Sequence, residues 1–530
     1  MLFTSYSFIL FIILLFLLYY IIPKKLQWKL LLVASYLFYA FAGPKYLIYI
    51  IITTVSTYIA AHKLGKLHKE QDAYLKEHKK ELDREGKKAY KAVMKSKQWK
   101  WLLGTLLLNF GILFVIKYLN FTIININWAL GIFGRQGGLS FVTLALPLGI
   151  SFYTFQTMGY IIDVYRGKFP PENNLGKLAL FVSFFPQLIQ GPISRYDDLA
   201  KTLYKEHPLE FKNISFGIQR ILWGFFKKLV IADRMLIAVK TLMGDTSSYH
   251  GAFVVVLMLF YTFQLYADFT GGIDITIGIA EVLGISVKEN FMRPYFSKNI
   301  AEFWKRWHIT LGTWFTDYLF YPISAWQPML KFSKFARKRF GDKIGKKLPV
   351  YAASFAVWFT TGVWHGSSWN FIVWGLVNYA VLMGSEELKP FYRWFHERFK
   401  VEGKFYFRLF QIVRTTLLMS AIRLFDVYRD VPATFRMFGS IFTTFNWGEL
   451  FTGKLLTLGL TPGDYVVLIA GFILMLSVSL LQRRGSVRES LAAKPVLVRN
   501  ALVYMLFVAI IIFGAYGVGY DSSQFIYNQF

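Results

Sequence analysis

Two histidines stand out as groups that could do chemistry. His365 lies in TGVWHGSSWN, residues 361–370, between two strongly apolar runs. Imidazole titrates near pH 6.5, so it can take a proton from a hydroxyl and return it. An ionisable group at membrane depth is expensive and by default points to function. Ser367, Ser368 and Asn370 are close enough in sequence to orient the ring or a substrate. His308 follows Trp307 in EFWKRWHITLGTWFTDYLFYPI. Trp304, Trp307, Leu311, Trp314, Phe315 and Tyr318 recur at three- and four-residue spacing, which predicts one helix face. His308 falls on that inward face, with Lys305, Arg306 and Thr313 away from it. A lone inward histidine is more often structural than catalytic, so spacing alone leaves His308 open.

Rival chemistries have little support. There is no HExxH, no histidine pair at helical spacing, no Walker loop and no GxSxG elbow. These patterns offer no metal site. The chain has no cysteine, which excludes disulfides, thiolate ligands and a cysteine acyl intermediate. YADFTGGIDITIG, residues 266–278, sets Asp268 and Asp274 among small residues. A carboxylate pair on an ion would fit. Tight helix packing with Asp268 hydrogen-bonded inside the bundle fits better.

The elements that must position these groups are membrane helices. Of 530 residues, 55% are hydrophobic and 19% aromatic. Roughly 20 apolar residues at about 1.5 Å rise span a bilayer core. Runs 5–22, 101–117, 465–481 and 501–518 meet that mark, and 28–41 and 46–61 fall a little short. Ten to thirteen membrane segments are expected, giving an all-α polytopic protein. Pro23-Lys24-Lys25 closes the first run without a small-residue cleavage site, so it reads as an anchor and not a signal peptide.

The net charge of +29 follows the positive-inside rule, and no basic stretch resembles a folded nucleic-acid-binding domain. Residues 62–100 carry thirteen Lys/Arg against six Asp/Glu, and read as a cytoplasmic helical pair on or over the membrane. Attraction to anionic membrane lipid would follow. Residues 331–347 carry eight basic residues and one acid, 389–408 six basic residues, and 483–499 five. Placing all four stretches inside gives one consistent path with the N-terminus outside. Runs 348–364 and 369–383 then form a hairpin that rises from basic loops, and its tip is HGSS, 365–368. Such an irregular tip is tolerated at membrane depth only inside protein or along a water-filled cavity. On this path His365 lies at mid-depth or toward the outer side, and His308 nearer the inner side. No internal repeat or low-complexity linker is visible. A single domain over 1–530 is expected, with its core in 140–430.

Five stretches carry a family resemblance: LPLGISFYTFQTMGYIIDVYRG (146–167), FFPQLIQGPI (184–193), FQLYADFTGGIDITIGIAEVLG (263–284), NFMRPYFSKNIAEFWKRWHITLGTWFTDYLFYPI (290–323) and TGVWHGSSWNFIVWGL (361–376). By these the chain resembles the membrane-bound O-acyltransferase family, in its alginate O-acetyltransferase-like branch. The resemblance implies a ring of helices around a thinned centre pierced by a tunnel. It makes His365 and His308 the catalytic histidines. Trp304, Trp307, Asp317 and Trp364, with Ser367, Asn370, Asp268 and Gln190, become candidates to line the tunnel or hold substrate. It implies a cytoplasmic thioester donor, with acetyl-CoA as a substrate and no permanently bound cofactor. The expected acceptor is a hydroxyl of an exported polysaccharide, or a serine of an extracytoplasmic partner, at the cell (inner) membrane.

The sequence departs from the family pattern at Thr270, Gly272, Asn378 and Tyr379, and in ISAWQP, where a glycine-rich turn is usual. The last of these bear on acceptor or partner identity. Alternatives are D-alanyl or acyl transfer to teichoic acid from an acyl carrier protein and, in another class, a transporter or flippase. The pair of tryptophan–histidine motifs favours acyl transfer, since transport alone does not require them.

Overall fold

In lipid a chain can satisfy its backbone only within helices or closed barrels. The computed structural model describes residues 3–134 and 137–516, and every regular element among them is helical. Five helices are long and apolar enough to cross a membrane: Pro44–Glu77, Arg84–Ile132, Ala252–Val282, Pro462–Leu481 and Val496–Phe513. Tyr6–Ile21 is apolar but shorter, and Ser5 caps it by accepting from the Phe8 amide. On Val496–Phe513 only Ile510 is buried, while Leu497 is 82% and Ile512 65% exposed. Such bare apolar faces suit lipid contact. The last run expected from sequence starts earlier than 501, and its residues 517–518 lie outside the described residues. The all-α, multi-pass membrane character is as the sequence implies.

The chain packs as two compact units. One comprises the chain up to Ile214 together with Ala280–Val287. Its basic segment, 62–100, is helical on both sides of a turn. Leu47–Glu77 and Arg84–Ile132 simply continue beyond their apolar spans and reverse between them. Lys, Glu and Ala are good helix formers, so nothing stops the helix before the turn. Asp83 caps the second helix through the Gly86 amide, and Tyr74 stacks on Tyr90 at 4.0 Å.

The other unit comprises Ser215–Ile279 and the chain from Lys288 onward. Both histidine motifs lie here. Gln327–His365 is interrupted by a non-helical Gly341 at φ 81°. A Cβ on Gly345 would sit 2.3 Å from the Arg337 nitrogen, so the chain folds back at this glycine. The basic stretch 331–347, expected as a loop, is therefore two helical pieces about a glycine turn. Beyond it the hairpin of Gln327–His365 and Trp369–Glu387 forms as expected. Its arms touch through glycine: a Cβ on Gly362 would lie 2.5 Å from the Phe371 carbonyl oxygen, and one on Gly375 2.4 Å from that of Trp358.

This close approach makes a prediction. Gly375→Ala should lower thermal stability by about 1–3 kcal/mol through overpacking. Gly384→Ala, on the same helix with open space around the new methyl, should not. Thermal unfolding of the two purified variants would show equal midpoints if the arms were not in backbone contact.

Candidate active site

The helix expected through 304–318 is broken at its histidine. Asn299 caps Ile300–Arg306 by accepting from the Glu302 amide, and the helix ends there. Trp307 is extended, at φ −108° and ψ 127°. His308 is left-handed, at φ 48° and ψ 52°, and a second helix, Ile309–Phe315, begins after it. A non-glycine residue in that region costs about 1–3 kcal/mol. The offset comes from Asn290. Its carbonyl accepts from the Ile309 amide at 2.9 Å. Its side-chain oxygen accepts from the Thr310 amide at 3.0 Å and from the Thr310 hydroxyl at 2.9 Å. The Met292 amide donates to the Arg306 carbonyl at 2.9 Å, so the 290–292 segment seals both edges of the break. His308 still points inward and is only 3% exposed.

The two histidines meet at one indole. The His308 ring packs edge-on against Trp364 at 5.8 Å and Phe269 at 5.1 Å. The His365 ring packs against Trp364 at 5.1 Å and Trp374 at 4.7 Å. Trp304 extends the aromatic wall, lying 5.7 Å from Trp374 and 4.9 Å from Trp358. His365 is the last residue of its helix and half-buried, whereas His308 is enclosed.

The remaining candidates divide. Ser367 is half-buried in the hairpin turn. Asn370, expected to orient the ring or a substrate, binds the fold instead. Its Nδ2 donates to the Phe425 carbonyl at 2.9 Å, and its Oδ1 accepts from Ser368 at 2.5 Å. Trp307 faces an aromatic cluster with Phe291 at 4.9 Å and Phe303 at 5.6 Å, and carries the Arg423 guanidinium 4.2 Å over its ring. Asp317 lies in the wide turn Thr316–Phe320 beyond Ile309–Phe315, half-buried. Gln190 ends Phe185–Gln190 in the first unit, fully buried, with neither amide atom in a protein hydrogen bond.

Asp268 is an internal anchor, as the packing reading expects. The Lys228 ammonium, fully buried, lies 2.6 Å from Asp268 and 2.7 Å from Asp233. The adjacent Lys227 pairs with Asp274 at 2.5 Å, and Arg220 bridges Asp274 at 3.0 Å and Glu289 at 2.6 Å. Both lysines sit in the π-helical turn Phe226–Ala232, whose wider winding presents successive residues to one neighbouring helix. Glycines bring those helices together: a Cβ on Gly224 would lie 2.6 Å from the Gly271 carbonyl. Phe269, which touches His308, is the residue after Asp268, so this network holds one wall of the site.

Sequence reasoning missed Phe269, Trp374, Asn290 and Arg423. Trp374 stands within the quoted motif VWGL and carried a signal in its pairing with Trp364. Asn290, an asparagine some twenty residues before a cap it completes, and Arg423 are brought in by tertiary folding alone.

The family model described as "MBOAT, membrane-bound O-acyltransferase family" matches residues 173–424. A probable alginate O-acetylase AlgI of Pseudomonas syringae pv. tomato is 35% identical over 382 residues, covering 71% of this chain and 64% of that protein. A probable alginate O-acetylase AlgI of Pseudomonas putida is 34% identical over 382 residues, covering 71% and 68%. A peptidoglycan O-acetyltransferase of Helicobacter pylori is 31% identical over 376 residues, covering 66% and 62%. The chain thus spans about two thirds of the length of these curated relatives.

The seal on the break can be measured. Asn290→Ala should cost about 1–3 kcal/mol by stranding the buried Thr310 amide. Thr310→Val removes only the hydroxyl bond. In a double-mutant cycle on thermal stability the two should couple by 0.5 kcal/mol or more, taking about that as the threshold for interacting neighbours. Strict additivity would mean that Asn290 does not hold Thr310.

Proposed function

This chain belongs to the membrane-bound O-acyltransferase family, and we propose that it moves an acetyl group from a thioester to a hydroxyl of a cell-envelope or exported polysaccharide. The observation that carries the reading is the meeting of two imidazoles on the Trp364 ring, one enclosed and one half-buried.

The difference in burial supports distinct roles for the two histidines. A general base must reach the proton it takes, so the half-buried His365 at the end of its helix fits that task. It takes the proton of the attacking hydroxyl and returns it to the departing thiolate. His308, enclosed and with its backbone pinned by Asn290, fits the task of holding the thioester in a fixed pose. The tryptophans around them exclude water, which favours transfer to the acceptor over hydrolysis.

The acyl group is acetyl in this proposal because the relatives named above are acetylases or acetyltransferases by name. The donor is acetyl-CoA, a consumed substrate that binds from the cytoplasmic side. The basic stretches 62–100, 331–347 and 389–408 face that side, and their Lys and Arg side chains can bind its phosphates. The N-terminus then lies outside, in the cell membrane. The acceptor is the polymer itself, or a serine of an extracytoplasmic partner that completes the transfer.

His365→Ala should leave an abundant, inserted protein with polymer acetylation at the level of a gene deletion. Loss of a general base typically costs about 10² to 10⁴ in rate. Mass-spectrometric acetyl content of the polymer, read beside an immunoblot of the membrane fraction, is the check. Normal acetylation with abundant variant protein would remove His365 from this role.

A further inference from the structure

The helices Leu47–Glu77 and Arg84–Ile132 leave a groove of about 480 Å³ between them, open on one side. Its wall is apolar: Ile59 and Ala60 come from one helix, Gly104 and Leu108 from the other. The two hydroxyls in the wall are already bonded within the protein. Thr105 donates to the Trp101 carbonyl at 2.8 Å. Ser56 donates to the Thr53 carbonyl at 3.2 Å and accepts from the Asn109 side-chain amide at 3.2 Å. A polar ligand would lose its hydration along this wall for no new hydrogen bond, whereas a hydrocarbon chain loses nothing. Gly104 keeps the groove open. A Cβ there would meet no atom within 4 Å, although glycine weakens a helix interior.

One end of the groove is charged. Lys100 lines it one turn before Gly104, and the Lys63 ammonium lies 5.9 Å over the Trp101 ring. Both lysines are exposed, and among the described residues neither meets a carboxylate. Ser56 faces Asn109 while Lys63 faces Trp101, so the two helices run antiparallel here. Lys63 and Lys100 therefore share the basic end, and Ser56 and Leu108 lie about 10–12 Å further along the apolar spans at helical rise. A tryptophan beside the lysines suits the level at which a bilayer meets water.

We propose that this groove binds one anionic diacyl phospholipid from the leaflet that the basic ends face. Its headgroup sits between Lys63 and Lys100, and one acyl chain lies over Gly104 toward Leu108. The apolar wall takes the chain. Charge complementarity selects the headgroup, since each basic residue close to an anionic membrane surface strengthens attraction about fivefold. A zwitterionic lipid fits the same wall without that gain.

The test uses full-length protein in phosphatidylcholine nanodiscs containing a trace of photoreactive lipid. The probe is phosphatidylglycerol or phosphatidylcholine carrying a diazirine in one acyl chain, and labelled peptides are mapped by mass spectrometry. Phosphatidylglycerol should label residues 56–60 and 101–108 more than phosphatidylcholine does. The double variant Lys63→Gln/Lys100→Gln should lower that preference roughly tenfold or more. Lys91→Gln/Lys95→Gln, which removes the same charge from exposed positions on another face of the helix, should leave it unchanged. Gly104→Leu, which fills the groove from open space, should abolish labelling there by either lipid, whereas Gly131→Leu, also in open space, should not. Equal labelling by the two lipids would overturn the proposal. So would a preference that survives the Lys63/Lys100 variant, or labelling that survives Gly104→Leu. Should Gly104→Leu fail to fold, the lysine variants decide. Absence of labelling in the wild-type protein would also overturn it, and a dimeric particle mass would then make a second copy of the chain the occupant.

Discussion

The site depends on a backbone that is allowed to stop being helical where no water can repair it. Trp307 and His308 leave helical geometry in a buried setting, and every freed group needs a partner inside the protein. Asn290 supplies one backbone and one side-chain acceptor, and the Met292 amide takes the exposed Arg306 carbonyl. With the break sealed, the imidazole projects from a fixed left-handed residue and not from a helix face free to rotate. That fixity brings His308 to Trp364, where the second histidine already sits.

A second constraint fixes the wall behind His308. Burying Lys228 with Asp233 and Asp268 adds little net stability over apolar packing, because desolvation offsets most of the attraction. What it does impose is register. The π-helical turn can pair Lys228 with Asp268 and Lys227 with Asp274 only at one offset of the glycine-faced helices. Phe269 then meets the His308 ring. The charges in the apolar run 252–282 thus serve the site by placing an aromatic edge against His308.

Much of this was legible in the sequence, for identifiable reasons. Hydrophobic run length gave the membrane helices, and the glycine–serine tip between apolar arms gave the His365 hairpin. The small-residue setting of Asp268 pointed to packing. The break at His308 was hidden because Trp304, Trp307, Leu311 and Trp314 keep helical spacing across it, while its cause, Asn290, lies in another segment. The stretch 331–347 looked like a loop because it is charged, but lysine and arginine are good helix formers and only Gly341 interrupts them. Asn370 looked like a ligand to the ring because the two are near in sequence, and the fold instead turns it to Phe425. Arg423 gave no local signal, since only the fold brings it over the Trp307 ring, more than a hundred residues away in the chain.

The central claim is that both histidines serve one reaction whose donor arrives from the cytoplasm. Sealed membrane vesicles of either orientation, containing this protein and given labelled acetyl-CoA without detergent, test it most directly. The account predicts that only inverted vesicles, which expose the cytoplasmic face, consume the donor, and that His365→Ala and His308→Ala vesicles consume none. Equal consumption from the outer face, or undiminished consumption in either variant, would contradict it.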